Sequence, residues 1–243
     1  MKNILHQTAH QKVCGRMLFA TQFIEKKDVV DKKILDIGCG FGWQEIYALE
    51  NCCRSIDAID ANANDIVTAR HEIKDRRVHF RIGSALTLPY PDRSYDTVIA
   101  WEIIEHLPKH AEKRMFEEVR RILKRRGVFY MSTPYNNFFT VLFDPAWWIT
   151  GHRHYSEKQV QKFGQDVGLA VRKIAIKGGL WEIGSILNLY VAKWIFRRFP
   201  FYNSFFERKQ NAEYKMKKGM ATIFCKFQKS SSARASLRGI SAF

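Results

Sequence analysis

From Lys33 onward, short β-branched or aromatic runs alternate with longer helical patterns, and this alternation constrains the fold more than any other feature of the chain. Strands are expected at 33–37 (KILDI), 55–60, 78–83, 95–101, 127–133, 169–176 and 220–227. Helices are expected between them at 43–51, 62–73 and 110–124, and again at 156–167, where Ser156 stands as a cap before Glu157. Met115, Phe116, Val119, Ile122 and Leu123 give the third helix an apolar face. Alternating β and α units imply an α/β fold, a parallel sheet with helices on both faces.

The last two strand segments stand about forty residues apart, too far for a hairpin. A helical insertion over 177–219 is expected there, before the last strand. Ile183, Ile186, Leu187, Tyr190, Val191, Trp194 and Ile195 recur at three- and four-residue steps, Arg197 and Arg198 close the pattern, and 199–202 breaks it. Near the N-terminus Val13, Met17, Ala20 and Ile24 are in helical register, so residues 1–30 are expected to carry a lid helix. One domain over 1–229 and a basic, disordered tail over 230–243 complete the expected organisation.

A net charge of +16 predicts attraction to an anionic partner: nucleic acid, a membrane surface or an acidic small molecule. The excess is concentrated, because residues 170–243 hold fifteen basic and only three acidic side chains. A content of 46% hydrophobic residues excludes wholesale disorder. Five cysteines without a CxxC spacing speak against a disulfide framework or a zinc site and fit a reducing cytoplasm. No run of about 18 apolar residues is long enough to span a membrane, which leaves a soluble or peripheral chain.

The most informative stretch is Ile34 to Gly42, a buried strand running into glycines at every second position (Gly38, Gly40, Gly42) and then a helix. Glycine there lets backbone approach a ligand and adopt positive φ. The spacing departs from the G-x-G-x-x-G dinucleotide fingerprint. Eighteen residues after Gly42 the next strand ends in Asp60, whose carboxylate suits both hydroxyls of a ribose; the competing role is to cap the helix starting near Asn62.

The Asp-x-Gly-x-Gly-x-Gly of 36–42, Asp60, the Gly83–Tyr90 stretch with Ser94–Val98 after it, and the Trp101–Pro108 segment resemble the class I S-adenosylmethionine-dependent methyltransferases. The last segment is similar to the type 11, quinone-biosynthesis branch. The match runs over roughly 32–176. It implies a Rossmann-like, seven-stranded, mostly parallel sheet, and S-adenosylmethionine as cofactor. By resemblance Asp36, Gly38, Gly40 and Gly42, with Cys39 in the same loop, line the methionine end of the cofactor. Asp60 holds the ribose, Ala61 flanks the adenine, Ser84 and Ala85 sit at its edge, and Trp101 lies beside the sulfonium. The family usually has aspartate where Ser84 stands, and a neutral hydroxyl is the weaker acceptor.

A sulfonium is already an activated methyl donor, so such an enzyme mainly aligns its acceptor; a hydroxyl acceptor also gains from a base. The base candidates are His106, His152 and His154. His106 suits packing against the sheet equally well. His152 and His154 share a face of an extended loop, and solvated loop histidines are the competing reading. With no third ligand nearby in sequence, no metal is expected.

Phe138–Phe143, Trp147-Trp148-Ile149 and the amphipathic 181–199 stretch place many aromatics beside the expected acceptor site. They suit either a lid or an interfacial surface with basic flanks. A small-molecule acceptor, lipid-linked and methylated at oxygen, at an anionic membrane surface, is the favoured reading. An RNA methyltransferase using the basic C-terminal third is the alternative, but Trp101-Glu102-Ile103 replaces the Asn/Asp-Pro-Pro-aromatic turn of base-methylating enzymes. A cofactor-binding subunit without turnover is the other.

Overall fold

The computed structural model describes residues 8–10, 12–144, 147, 151–198 and 200–230. Apart from Ser230, the tail expected over 230–243 lies outside the described residues, as do Trp148 and Ile149.

Seven strands form one sheet: β1 (Lys33–Ile37), β2 (Ser55–Asp60), β3 (Val78–Ile82), β4 (Tyr95–Trp101), β5 (Leu123–Pro134), β6 (Leu169–Lys177) and β7 (Thr222–Lys229). Their order is β3-β2-β1-β4-β5-β7-β6; β7 runs antiparallel to both neighbours, whereas the β3-to-β5 portion is parallel. The expected mostly parallel, Rossmann-like sheet is therefore what the chain forms. Strands β1, β4 and β5 are nearly continuously buried because helices cover both faces, which is why they read as unbroken apolar runs.

The helices are α1 (Gly15–Phe23), α2 (Trp43–Glu50), α3 (Ala63–Glu72), α4 (Glu112–Ile122), α5 (Phe138–Leu142), α6 (Glu157–Asp166), α7 (Leu180–Trp194) and α8 (Asn203–Lys215). Helix α4 ends two residues before the expected 124, because Leu123 already pairs with Tyr95 as the start of β5. Met115, Phe116, Val119 and Ile122 are buried on its inner face as the spacing requires. Ser156 caps α6 in a reciprocal box with Gln159. Gly164 on α6 is a true close approach, since a Cβ there would stand 2.3 Å from the ring of Phe227 on β7.

Between β6 and β7 the chain forms two helices, α7 and α8, joined across the 199–202 break. Helix α1 packs on α8: the Gly15 N–H donates to Asn211 Oδ1 at 2.6 Å, and the rings of Phe19 and Tyr214 lie 5.8 Å apart. Val13 precedes α1 rather than joining it. Two helices nearly two hundred residues apart in sequence thus share one apolar cluster against the sheet.

Candidate active site

Strand β1 ends on Asp36 and Ile37, and the chain then turns through Gly38, Gly40 and Gly42, at φ +78°, +52° and +92°, before α2 begins. These are left-handed conformations that L side chains resist. Gly38 also faces Ile103, whose Cδ1 would lie 1.9 Å from an added Cβ, whereas nothing stands within 4 Å of one at Gly40. Asp60, half-buried at the end of β2, accepts the Gly40 N–H through Oδ2 at 2.9 Å and the Asn62 N–H through Oδ1 at 2.8 Å. The α3 cap is Asn62 itself, which accepts from the Asn64 N–H, so Asp60 ties the glycine loop to β2 instead of capping.

Behind the loop lie two buried carboxyls, Asp36 on β1 and Glu45 on α2. Burial raises both, Asp36 to about 7 and Glu45 well above the carboxylate range, and neither Glu45 oxygen has a hydrogen-bond partner among the described residues. Burial likewise holds the Cys39 thiol protonated. Ala61 and Ser84 are exposed and Ala85 half-buried; Ser84 Oγ accepts the Leu86 N–H at 3.1 Å. Trp101 stands half-buried at the end of β4. Its indole N–H donates to Gln44 Oε1 at 2.9 Å, and its ring packs toward Phe224 in the core.

Against Glu102, Glu105 and His106 lies a cavity of about 420 Å³. Its polar wall is built from Arg16, Glu102, Glu105, His106, Asp144, His152 and His154, and its apolar wall from Phe143, Ile183, Ile186, Leu189 and Tyr190. All three candidate histidines therefore converge on one place. His152 sets Nδ1 3.0 Å from Asp144 Oδ2, which leaves Nε2 3.9 Å from Glu105 Oε1. His154 is buried, with Nε2 3.3 Å from the same Asp144 oxygen. His106 is exposed at the rim, its ring centroid 4.7 Å from that of His152. Arg153, between the two loop histidines, is structural: it bonds Glu112 at 2.7 Å and the Ile104 and Leu107 carbonyls, fixing the loop against the 104–107 turn.

Sequence reasoning missed Arg16, Asp144 and Glu182. Arg16 leaves α1 to bond Glu102 Oε2 at 2.5 Å and to lie 3.9 Å from Glu182 Oε1, while Tyr214 donates to Glu182 from α8. Burial outweighs these partners at Glu182 and raises its carboxyl to about 7. Asp144 did carry a signal, being the only acidic residue between Glu118 and Glu157. A third donor, Glu105, does stand beside the histidines, contrary to the expectation read from sequence spacing.

This sheet order, the glycine loop and the aspartate ending β2 together define the class I S-adenosylmethionine-dependent methyltransferase fold. Residues 34–127 match a family model described as a methyltransferase domain. Residues 34–127 are therefore read as a methyltransferase domain on this fold. A protein of Mycolicibacterium smegmatis, named a probable S-adenosylmethionine-dependent methyltransferase, is 32% identical over 103 residues, 42% of this chain and 38% of that protein. The chain spans about two fifths of the length of the curated relatives it matches. Among solved structures, an S-adenosylmethionine-dependent methyltransferase from Mesorhizobium loti superposes with a TM-score of 0.62 at 15% identity, over 88% of this chain and 97% of that one. A [4+2]-cyclase, SpnF, superposes with a TM-score of 0.64 at 17% identity, over 93% and 86%. One architecture thus serves more than one chemistry, and the reaction has to be argued from the site.

The residues present fit S-adenosylmethionine. The open space at Gly40 admits a ligand to the backbone, the Asp36–Glu45 pair suits an ammonium, and Asp60 is placed for vicinal hydroxyls.

Proposed function

We propose that the chain transfers a methyl group from S-adenosylmethionine to an oxygen of a small, lipid-linked acceptor. The observation that carries this reading is the cavity lined by Glu102, Glu105 and His106, with a titratable wall and an aliphatic roof from α7. When bound, the cofactor would supply an electrophilic methyl group for the acceptor oxygen, with a neutral thioether as leaving group. Asp60 orients the nucleoside end, and Asp36 with Glu45 holds the amino-acid end. The acceptor's hydroxyl proton has its receiver in the Glu105–His106–His152 group, and the apolar roof excludes water. Incubation with labelled cofactor and a lipid extract, followed by mass spectrometry, tests the reading; failure to label any lipid-soluble product would refute it.

Cofactor affinity should depend on pH through the buried pair. Asp36, held at about 7, is neutral on the acid side and offers an ammonium little attraction there. The dissociation constant should therefore fall as pH rises from about 6 to about 7, by up to about tenfold per unit, and level off above. Calorimetry should show no such slope for 5′-methylthioadenosine, which lacks the amino-acid end. Equal slopes for both ligands would detach Asp36 from the methionine end.

The lipid part of the proposal is supported by the surface around the cavity mouth. Helix α7 turns Ile183, Ile186, Leu189 and Tyr190 inward and exposes Val191 and Trp194, with Ile195 and Phe196 exposed just beyond its end. Helix α5 likewise contributes Thr140 to the cavity while Phe138 and Phe139 are exposed, 72% and 47%. Exposed Arg197 and Arg198 flank the aromatic patch. Aromatic side chains with adjacent arginines are what an anionic interface binds. No helix among the described residues is long and apolar enough to cross a membrane. The chain should float with vesicles of phosphatidylcholine and phosphatidylglycerol, less with phosphatidylcholine alone, and Trp194→Asp with Ile195→Asp should cut flotation several-fold. Retention on RNA but not vesicles at physiological salt would favour the nucleic-acid alternative.

A further inference from the structure

Glu105, His106 and His152 come from segments nearly fifty residues apart, yet one donor atom of each lies within 4.8 Å of the other two. We propose that these three side chains bind a divalent first-row transition cation, with Zn²⁺ as the reference ion, at the floor of the acceptor cavity.

The unmet bonding capacity of the buried donors carries the proposal. Glu105 is 3% exposed; its Oε2 accepts the Thr133 hydroxyl at 3.1 Å, but Oε1 has no hydrogen-bond partner among the described residues. A buried carboxylate is normally paired with a cation. The only ion-pair neighbour of Glu105 among the described residues is His152 Nε2, at 3.9 Å. That separation is too long for a hydrogen bond, and His152 Nε2 is itself buried without a partner. It is close to the gap two donors keep across one cation bound at about 2.0–2.2 Å to each.

The surroundings are those of a ligand set. His152 Nδ1 faces Asp144 Oδ2 at 3.0 Å, a carboxylate–histidine pairing that fixes the tautomer and directs the Nε2 lone pair toward Glu105. Thr133 orients the Glu105 carboxylate in the same way. His106 reaches the group from the 3-10 turn Ile104–His106, on the cavity side. Two imidazoles and one carboxylate suit Zn²⁺ and its neighbours in the series better than Mg²⁺ or Ca²⁺, which prefer all-oxygen sets. Three protein donors opening on a cavity leave coordination positions for an acceptor oxygen, the arrangement of a catalytic and not a structural site. With the cation bound, these three side chains would act as its ligands and no longer as the proton's receiver: the cation would lower the pKa of the acceptor hydroxyl, its proton leaving to water at the cavity mouth. This use of the cation rests on the methyl-transfer reading; binding of the cation does not.

The test is titration of untagged, chelator-treated chain with Zn²⁺ by calorimetry and with Co²⁺ by visible absorption. A single equivalent should bind, with d–d bands for Co²⁺, and His152→Ala, His106→Ala and Glu105→Gln should each weaken binding by more than about tenfold. His106 is exposed, so its variant should fold even if the Glu105 variant does not, and melting curves establish which variants fold. Absence of stoichiometric binding, or binding unchanged in His106→Ala and His152→Ala, would overturn the proposal. Calorimetry of S-adenosylmethionine on the same metal-free chain is read separately: loss of that signal alone counts against the methyltransferase reading and leaves the metal site standing.

Discussion

Asp60→Ala should abolish measurable binding of S-adenosylmethionine while leaving the fold intact. In the protein as described, both Asp60 oxygens accept backbone N–H groups, from Gly40 and Asn62, so the carboxylate holds the glycine loop in shape before any ligand arrives. Its remaining lone pairs are what a ribose would use. Hydrogen bonds to a charged group contribute about 1.5–3 kcal/mol each, so loss of two ribose bonds alone raises the dissociation constant by about a hundredfold or more. Relaxation of the loop adds to this. Asp60→Asn keeps the shape and one acceptor oxygen, and should fall between. The variant also loses the two backbone bonds to Gly40 and Asn62, so the melting temperature should fall by several degrees while the native circular-dichroism spectrum is kept. Binding within about threefold of wild type in Asp60→Ala would remove the ribose assignment.

The largest expected loss of stability lies elsewhere, at Lys226→Met. Lys226 is 5% exposed in the middle of β7, and its ammonium sits 2.6 Å from Glu25 Oε1 and 2.7 Å from Asp28 Oδ2. Tyr130 also donates to Asp28 Oδ2, at 2.6 Å. Methionine fills the space but leaves Asp28 buried with the Tyr130 phenol as its one remaining side-chain partner among the described residues. Breaking a buried pair by removing one member costs about 3–5 kcal/mol, against a total stability of about 5–15 kcal/mol. For a domain of this size that corresponds to a fall in melting temperature of roughly 6–20 °C. Thermal unfolding followed by circular dichroism measures it. A change under about 1 kcal/mol would show that water replaces the ammonium around Asp28.

The sheet was legible because its central strands are buried on both faces and announce themselves as short apolar runs; β1, β2 and β4 begin and end on the expected residues. The glycine loop was legible for a different reason: its geometry is made by residues adjacent in sequence, and positive φ demands glycine locally. The acceptor cavity is made the opposite way. Arg16, Glu102, Asp144 and Glu182 come from four distant segments, and no local periodicity records that they meet. The histidine pair at 152 and 154 pointed to the place, but its orienting carboxylate, Asp144, is set by tertiary folding. The contacts of Trp101 were not legible either, because a strand-end position fixes the backbone and leaves the side chain free to turn: its indole bonds Gln44 and its ring lies beside Phe224.

The position of β7 governs the order in which the protein can assemble. Among the described residues β7 is the one strand that pairs with β6, and it is the last strand in sequence, inserted between β5 and β6. The β3-to-β5 portion, with the whole glycine loop, can therefore pair as it is synthesised. Residues 169–177 have no edge to join until 222–229 arrive, and α7 and α8 lie between those two strands. Cofactor-binding geometry is thus available early in the life of each nascent chain. The cavity, which needs Ala221 and Thr222 together with α7, is finished last, so a truncated chain would carry a donor site with no chamber in which to use it.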